Sequence, residues 1–268
     1  MTRLILLIPH FNNPAGLIKS LASIGPSEQC DVLVVDDGST RAPIEHTAAR
    51  NAFKAEGELR FLNLPANRGI EHALNSGLTW ITSRGYELIA RLDCGDENLP
   101  DRFTKQITFL KSHPDVMLVG GAASFVDQAG TEQFVLRHPS EHAAIVQTMR
   151  NNSAFIHPAV MFRTAALAST GPYPLDMPAA EDYALFSEFT RQFKVANLPD
   201  VLIRYELDPS GISLSKRRQQ LTSRLAVQKK YSDGSVAALI GMARTQLLLL
   251  LPYSLVFKLK SKLRAKKT

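Results

Sequence analysis

Short apolar runs alternate with amphipathic stretches over roughly the first hundred positions. Residues 3–9 and 31–35 are near-continuous apolar runs, as expected of strands covered on both faces, and residues 59–64 and 86–92 are two further strands. Pro14 opens a predicted helix with an apolar face of Leu17, Ile18, Leu21 and Ile24, stopped by Gly25-Pro26. A second helix is predicted from about 43 to 55. A third begins at Asn67-Arg68-Gly69, where Ala73 and Gly77 form a small-residue face and Asn75 reads as a satisfied buried amide. A fourth follows Pro100, with Phe103, Ile107 and Leu110 at helical spacing. Strict strand–helix alternation predicts a parallel, doubly wound α/β sheet.

Past residue 110 the pattern changes. A strand over 116–120, a hairpin over 123–137, a helix over 140–149 and a loop running into a strand at 155–163 indicate a smaller mixed region. Glu181-Asp182-Tyr183 starts another helix, and 195–205 reads as short strands broken at Pro199-Asp200. Residues 214–231 form a basic amphipathic helix. Apolar runs at 236–240 and 247–251 are interrupted by Arg244, Thr245 and Gln246. The run from 247 to 257 falls short of the ~20 residues needed to span a bilayer. It fits either a helical element in the membrane interface or a helix packed on the core. The expected organisation is one unit over 1–213, with halves at 1–110 and 111–213, and a helical extension over 214–268.

Chemistry clusters where strands end. Asp36 and Asp37 close the second strand; Asp93 and Asp96, separated by Gly95, follow the fourth. Ligands of open α/β sheets bind at those ends. Grouped carboxylates there suit a divalent cation holding a phosphate, or simply a turn capping the next helix. Arg68 at a helix start suits a diphosphate or solvent. The absence of G-x-G-x-x-G after the first strand argues against a dinucleotide site.

Charge alters the picture less than it first suggests. The net charge is +6, yet residues 258–268 alone carry Lys258, Lys260, Lys262, Arg264, Lys266 and Lys267 and no acid. The remainder holds 25 basic and 25 acidic residues. A neutral body with a basic tail does not resemble a duplex-binding surface, and the tail suits either an anionic membrane or a solvated end on a helix packed on the core or in a dimer. Cys30 and Cys94 have no metal-ligand spacing, which fits a reduced, cytoplasmic protein, and residues 4–8 read as a first strand rather than a signal peptide.

Several fragments occur here in one order: Ile8-Pro9-His10-Phe11-Asn12, Val35-Asp36-Asp37-Gly38-Ser39, Asn67-Arg68-Gly69, Arg91-Leu92-Asp93 through Phe103, His157 through Arg163, and Glu181-Asp182-Tyr183. Over residues 3–213 the chain resembles the family 2 inverting glycosyltransferases of the GT-A fold. The resemblance implies a nucleotide-diphosphate sugar donor and a saccharide or lipid-linked acceptor in polysaccharide or lipopolysaccharide synthesis, at the cytoplasmic face of the inner membrane. It implies Pro9 and Phe11 against the nucleobase, Asp36 and Asp37 receiving it, Arg68 near the diphosphate and Asp93 on the ribose. Asp182 would be the general base with Glu181 beside it. Asp93, Asp96 and Asp208 would serve Mg²⁺ or Mn²⁺, although Gly95 stands where relatives carry a second acid and Asp208 where they often carry histidine. A sugar-nucleotide-binding protein without transfer activity and a nucleotidyltransferase are the rival readings. The latter usually carries a glycine-rich loop that Pro9-His10-Phe11-Asn12-Asn13 does not match.

Overall fold

The computed structural model describes residues 3–207 and 216–251. Its centre is a 9-stranded sheet. Strands β1 (Leu4–His10), β2 (Asp31–Asp36), β3 (Leu59–Asn63) and β4 (Leu88–Arg91) are parallel, in the order β3-β2-β1-β4. The order reverses between β1 and β4, so the loops leaving these two strands diverge around a crevice. Helices α1 (Pro14–Ala22), α2 (His46–Ala52), α3 (Ile70–Thr82) and α4 (Arg102–Ser112) make the crossovers.

Beyond β4 the sheet becomes mixed. The two-residue strand β5 (Glu97–Asn98) lies inside the acidic loop. It is followed by β6 (Val116–Val126), β7 (Glu132–Leu136), α5 (His142–Met149), β8 (Met161–Arg163), α6 (Leu167–Thr170), α7 (Glu181–Gln192) and β9 (Lys194–Glu206). Strand β8 runs antiparallel between β4 and β6, β6 pairs parallel with β9, and β9 pairs antiparallel with β5. Two helices close the described chain, α8 (Arg217–Lys230) and α9 (Val236–Leu250).

Alternation along β1 explains the two cores. Leu4, Leu6 and Ile8 join α1 and α4 on one face, while Ile5 and Leu7 join α3 and α7 on the other. Gly77 is required by this packing: a Cβ there would lie 2.5 Å from Leu7 Cδ1 and 3.1 Å from Val35 Cγ2. Asn75 is satisfied, its amide exchanging bonds of 2.8 and 2.9 Å with the Tyr173 backbone.

One segment differs from the sequence expectation. Strand β9 is continuous through Pro199-Asp200, because pairing with β6 jumps from Gly120↔Asn197 to Ala122↔Val201. The bulge absorbs the proline without ending the strand. Helix α9 runs unbroken through Arg244-Thr245-Gln246. Thr245 is buried, and its hydroxyl donates to the Gly241 carbonyl at 3.1 Å, so the polar residue is satisfied inside the helix.

Candidate active site

The loop after β1 is tied to the loop after β2. His10 is buried; its Nε2 accepts the Asn13 N–H at 3.2 Å, which leaves Nδ1 to donate to Asp36 Oδ1 at 2.9 Å. Asp36 also accepts from the Ser39 hydroxyl, and Asn12 Oδ1 accepts the N–H groups of Arg41 and Ala42. Asp36 is therefore a brace between two loops. Pro9 sits half-buried at the end of β1, and Phe11 is left 43% exposed on the loop that follows.

Asp37 is turned toward α3. It accepts from Asn67 Nδ2 at 2.9 Å, Arg68 N at 3.0 Å and Gly69 N at 2.9 Å, holding the turn that starts the helix. Burial pushes its pKa up, against the two backbone N–H groups that favour the carboxylate. A carboxylate has about four acceptor positions, so one remains for another donor. The Arg68 side chain is exposed.

After β4 the backbone turns sharply at Gly95, whose φ of +109° disfavours any residue with a side chain. The Ser20 hydroxyl accepts Gly95 N–H at 2.9 Å and donates to the Asp96 carbonyl at 2.7 Å, locking the turn to α1. Its two acids differ in exposure. The Asp93 side chain is 31% exposed and receives Arg91 Nη2 at 2.6 Å. Asp96 is buried, accepts Glu206 N–H at 2.9 Å on Oδ1, and leaves Oδ2 without a partner. Burial and the neighbouring Asp93 charge hold Asp96 well above the usual carboxylate range.

Arg91 and His157 lie in two of the sequence fragments, where residue type alone assigns them no task. Arg91 is wholly buried and donates to the Leu7 carbonyl at 2.5 Å, to Asp93, and through Nε to His157 Nε2 at 3.3 Å. The same His157 nitrogen lies 2.9 Å from the Tyr173 hydroxyl. Burial first, then the Arg91 charge, holds His157 well below its ordinary pKa, so it serves as a neutral acceptor. Arg102, also wholly buried, bonds the Arg91 carbonyl at 2.8 Å and Gln106 Oε1 at 3.1 Å. Burial lowers its pKa to about 9.

Glu181 and Asp182 open α7, where the helix dipole favours acids. Asp182 Oδ1 accepts the Tyr183 N–H at 2.6 Å, while Glu181 Oε2 is buried without a partner. Burial, then the adjacent Asp182 charge, pushes Glu181 up to about 8. Burial opposed by the Tyr183 N–H, together with the Asp93 charge, pushes Asp182 up to about 6. Asp93 acts electrostatically on both, and Glu71 on α3 acts on both Asp37 and Glu181. Asp37, Asp93, Glu181 and Asp182 thus act on one another electrostatically, directly or through Glu71.

A surface groove of about 770 Å³ lies elsewhere, along the β3 edge between Arg50, Arg60, Trp80 and Arg84. A smaller cleft of about 300 Å³ adjoins Asp36, Ser39 and Asn63 at the ends of β2 and β3.

The profile described as Glycosyl transferase family 2 matches residues 5–171. The chain belongs to glycosyl transferase family 2. This glycosyltransferase is 35% identical over 175 residues to the amylovoran biosynthesis glycosyltransferase AmsE of Erwinia amylovora, covering 65% of this chain and 63% of AmsE. It is 26% identical to an Escherichia coli UDP-Gal:alpha-D-GlcNAc-diphosphoundecaprenol beta-1,3-galactosyltransferase, over 65% of this chain and 62% of that one. The chain therefore spans less than two thirds of these two relatives. Among solved structures, the mannosyltransferase PcManGT of Pyrobaculum calidifontis, in complex with GDP-Man and Mn²⁺, superposes with a TM-score of 0.62 at 17% identity. That match covers 97% of this chain and 80% of the other. The fold of the glycosyltransferase is GT-A.

The family match ends before the Glu181-Asp182 pair and before α8 and α9, so the acids of α7 are placed by the structure rather than by the match. Among the described residues no three His, Cys, Asp or Glu side chains converge as a cation cage. The donor set nevertheless fits a hard divalent ion that takes several ligands from phosphate. Mg²⁺ is commonly held by one or two carboxylates plus substrate phosphates, and Asp96 Oδ2 is an unpartnered carboxylate oxygen beside Asp93. Asp208 lies outside the described residues.

Proposed function

We propose that this glycosyltransferase transfers a sugar from a nucleotide-diphosphate donor to a hydroxyl of a lipid-linked saccharide, in one displacement with inversion. Asp182 takes the proton from the acceptor hydroxyl and the oxygen forms its bond to the anomeric carbon. The bond to the diphosphate breaks, and its electron pair leaves with the nucleoside diphosphate. The observation that carries this reading is Asp182 itself, a carboxylate in the first turn of α7 lifted toward neutral pH and within electrostatic reach of Asp93. A base tuned in that way matches its task better than an ordinary aspartate. The loop after β1, with Pro9 and Phe11, and the spare acceptor position of Asp37 receive the base. Arg91 fixes Asp93 toward the ribose, and Arg68 lies free to meet the diphosphate. Asp93 and Asp96 would hold Mg²⁺ or Mn²⁺, which when bound neutralises charge developing on the leaving diphosphate.

The test is a thermal-shift screen of UDP-, dTDP- and GDP-sugars with and without Mn²⁺, followed by NMR of the product from the donor that binds. Inverted anomeric configuration in the first product formed is expected. A retained configuration overturns the mechanism. A donor that stabilises the chain without transfer or hydrolysis identifies a binding protein instead.

The acceptor reading comes from the E. coli relative, whose name specifies a diphosphoundecaprenol-linked sugar. Support within this chain comes from α9. Ala238, Gly241 and Thr245 face the protein, while Val236, Leu239, Ile240, Leu247 and Leu250 are exposed at helical spacing on the other side. No helix among the described residues is long and apolar enough to cross a membrane. An exposed apolar stripe, followed in sequence by the six cations of 258–268, complements an anionic lipid surface, and we place the enzyme there as a peripheral protein at the cytoplasmic face of the inner membrane. Full-length protein should sediment with phosphatidylglycerol-containing vesicles and much less with phosphatidylcholine alone. The double change Ile240→Glu and Leu247→Glu should reduce the bound fraction severalfold. Unchanged vesicle binding, with a dimer lost instead, would assign the stripe to a second copy.

A further inference from the structure

Helix α8 presents one unusual cation to the site. Leu221, Arg224, Gln228 and Tyr231 recur at helical spacing on one face. Tyr231 donates to Glu188 Oε1 of α7 at 2.9 Å, and Gln228 donates to the Asn151 carbonyl at 2.8 Å. Seven residues toward the N-terminus is about 10 Å along either helix and nearly the same face. The Tyr231–Glu188 pair therefore sets Arg224 opposite Glu181-Asp182 if α7 and α8 run parallel. Hydrogen bonds fix that direction. The Tyr183 hydroxyl donates to the Met149 carbonyl, two residues from the Asn151 carbonyl that receives Gln228, so passing from Gln228 to Tyr231 along α8 follows Tyr183 to Glu188 along α7. Asp182 acts electrostatically on Arg224 in keeping with it.

The second helical contact runs the other way. Arg217 Nη2 donates to the Leu248 carbonyl at 2.9 Å, so α8 and α9 form an antiparallel pair. Seven residues on from Arg217, Arg224 comes opposite Gly241 to Thr245, and Arg244 acts on it electrostatically. Arg224 is half-buried, Arg244 is exposed between Ile240 and Leu247, and neither side chain hydrogen-bonds or ion-pairs with a described residue. Two guanidinium groups are thus held near one another, with no acid among the described residues hydrogen-bonded or ion-paired to either, between the candidate base and the apolar stripe.

We propose that Arg224 and Arg244 form an anion site for the phosphates of a lipid-diphosphate acceptor, placing its first sugar at Asp182. Planar guanidinium groups suit bidentate phosphate contacts. The lipid chain would follow the stripe of α9, the diphosphate would bridge the two arginines, and the sugar hydroxyl would reach Asp182. Burial lowers the pKa of Arg224, and the Arg244 charge lowers it further; a bound phosphate offsets both. This assignment rests on the lipid-linked acceptor reading above and names the residues that recognise the linkage.

The experiment measures binding of farnesyl diphosphate, farnesol and inorganic diphosphate to the full-length protein in detergent, by calorimetry. Wild type should bind farnesyl diphosphate about tenfold or more tighter than farnesol, and Arg224→Gln with Arg244→Gln should remove most of that difference. Lys229→Gln with Lys230→Gln, an equal charge loss at exposed sites, should leave it in place. Arg224→Lys should restore part of it. Should the double variant misfold by circular dichroism, the exposed Arg244→Gln alone must still weaken binding severalfold. Wild-type affinity in a folded double variant overturns the site. Inorganic diphosphate binding as tightly as farnesyl diphosphate overturns its assignment to a lipid acceptor. The nucleoside-diphosphate thermal shift should be the same in all variants. Its absence in wild type would count against the donor reading alone.

Discussion

Asp182→Asn is expected to lose about 10²–10⁴-fold in turnover while still binding donor nucleotide. The amide keeps the shape of the side chain and can still accept the Tyr183 N–H, but it cannot take a proton from a hydroxyl. Wild-type activity should fall on the acid side with an apparent pKa near 6, because burial and the Asp93 charge raise Asp182 to about 6 and the protonated acid is no base. Stability should move the opposite way. An acid whose folded-state pKa is raised favours the folded state at low pH, and that advantage is lost as pH rises from the unfolded value of 3.8 through about 6. The amide variant avoids this loss. Its melting temperature should match wild type near pH 4 and exceed it at pH 8, where the stability difference is on the order of 1 kcal/mol after discounting for the part exposure of Asp182. Rate–pH profiles and melting curves at both pH values check the two halves together. Near wild-type turnover in Asp182→Asn would remove this residue from the role of base. A melting temperature lower at pH 8 would mean that its carboxylate is structural.

Much of the fold was legible because strands covered on both faces read as apolar runs. Residues 31–35 leave no alternative to a buried strand, and Asp36-Asp37 mark its end. The strand–helix alternation that follows fixes the parallel half. The mixed half was harder for a local reason. Pro199-Asp200 looks like a break until the partner strand is known, and only the β6 register shows that a bulge accommodates it. The acidic residues were visible as candidates, but their directions were not. Asp93 and Asp96 are three apart in sequence, yet the turn at Gly95 leaves one partly open and sends the other into the β9 end. Buried cations were least legible. Arg91 and Arg102 read as ordinary charges, and nothing in their neighbours' residue types says that backbone carbonyls from β1, β4 and the segment before β8 will surround them. Arg224 carries no motif and lies beyond the family match, so only helix packing brings it to Asp182.

Arg91→Met should be the most disruptive single change at the donor side. The guanidinium reaches the Leu7 and Leu92 carbonyls, His157 and Asp93 from a position with no solvent exposure. Methionine fills similar volume but leaves these acceptors unpaired and the Asp93 charge uncompensated. Removing one member of a fully buried pair costs about 3–5 kcal/mol; with the Asp93 side chain 31% exposed the loss should lie at the lower end, and at roughly 2–4 °C per kcal/mol for a chain of this size the melting temperature should fall by about 10 °C. Arg91→Lys keeps the charge yet offers one ammonium where four directions are needed, so part of the loss should remain. The double variant Arg91→Met with Asp93→Asn separates stability from function. It removes the stranded charge and should recover part of the melting temperature, but the donor-induced thermal shift should stay lost because Asp93 then presents no carboxylate to the ribose and Asp96 alone is left for the cation. Recovery of both together would show that Asp93 is needed only to neutralise Arg91. A wild-type donor response in Arg91→Lys would show that the guanidinium fork does not position the site.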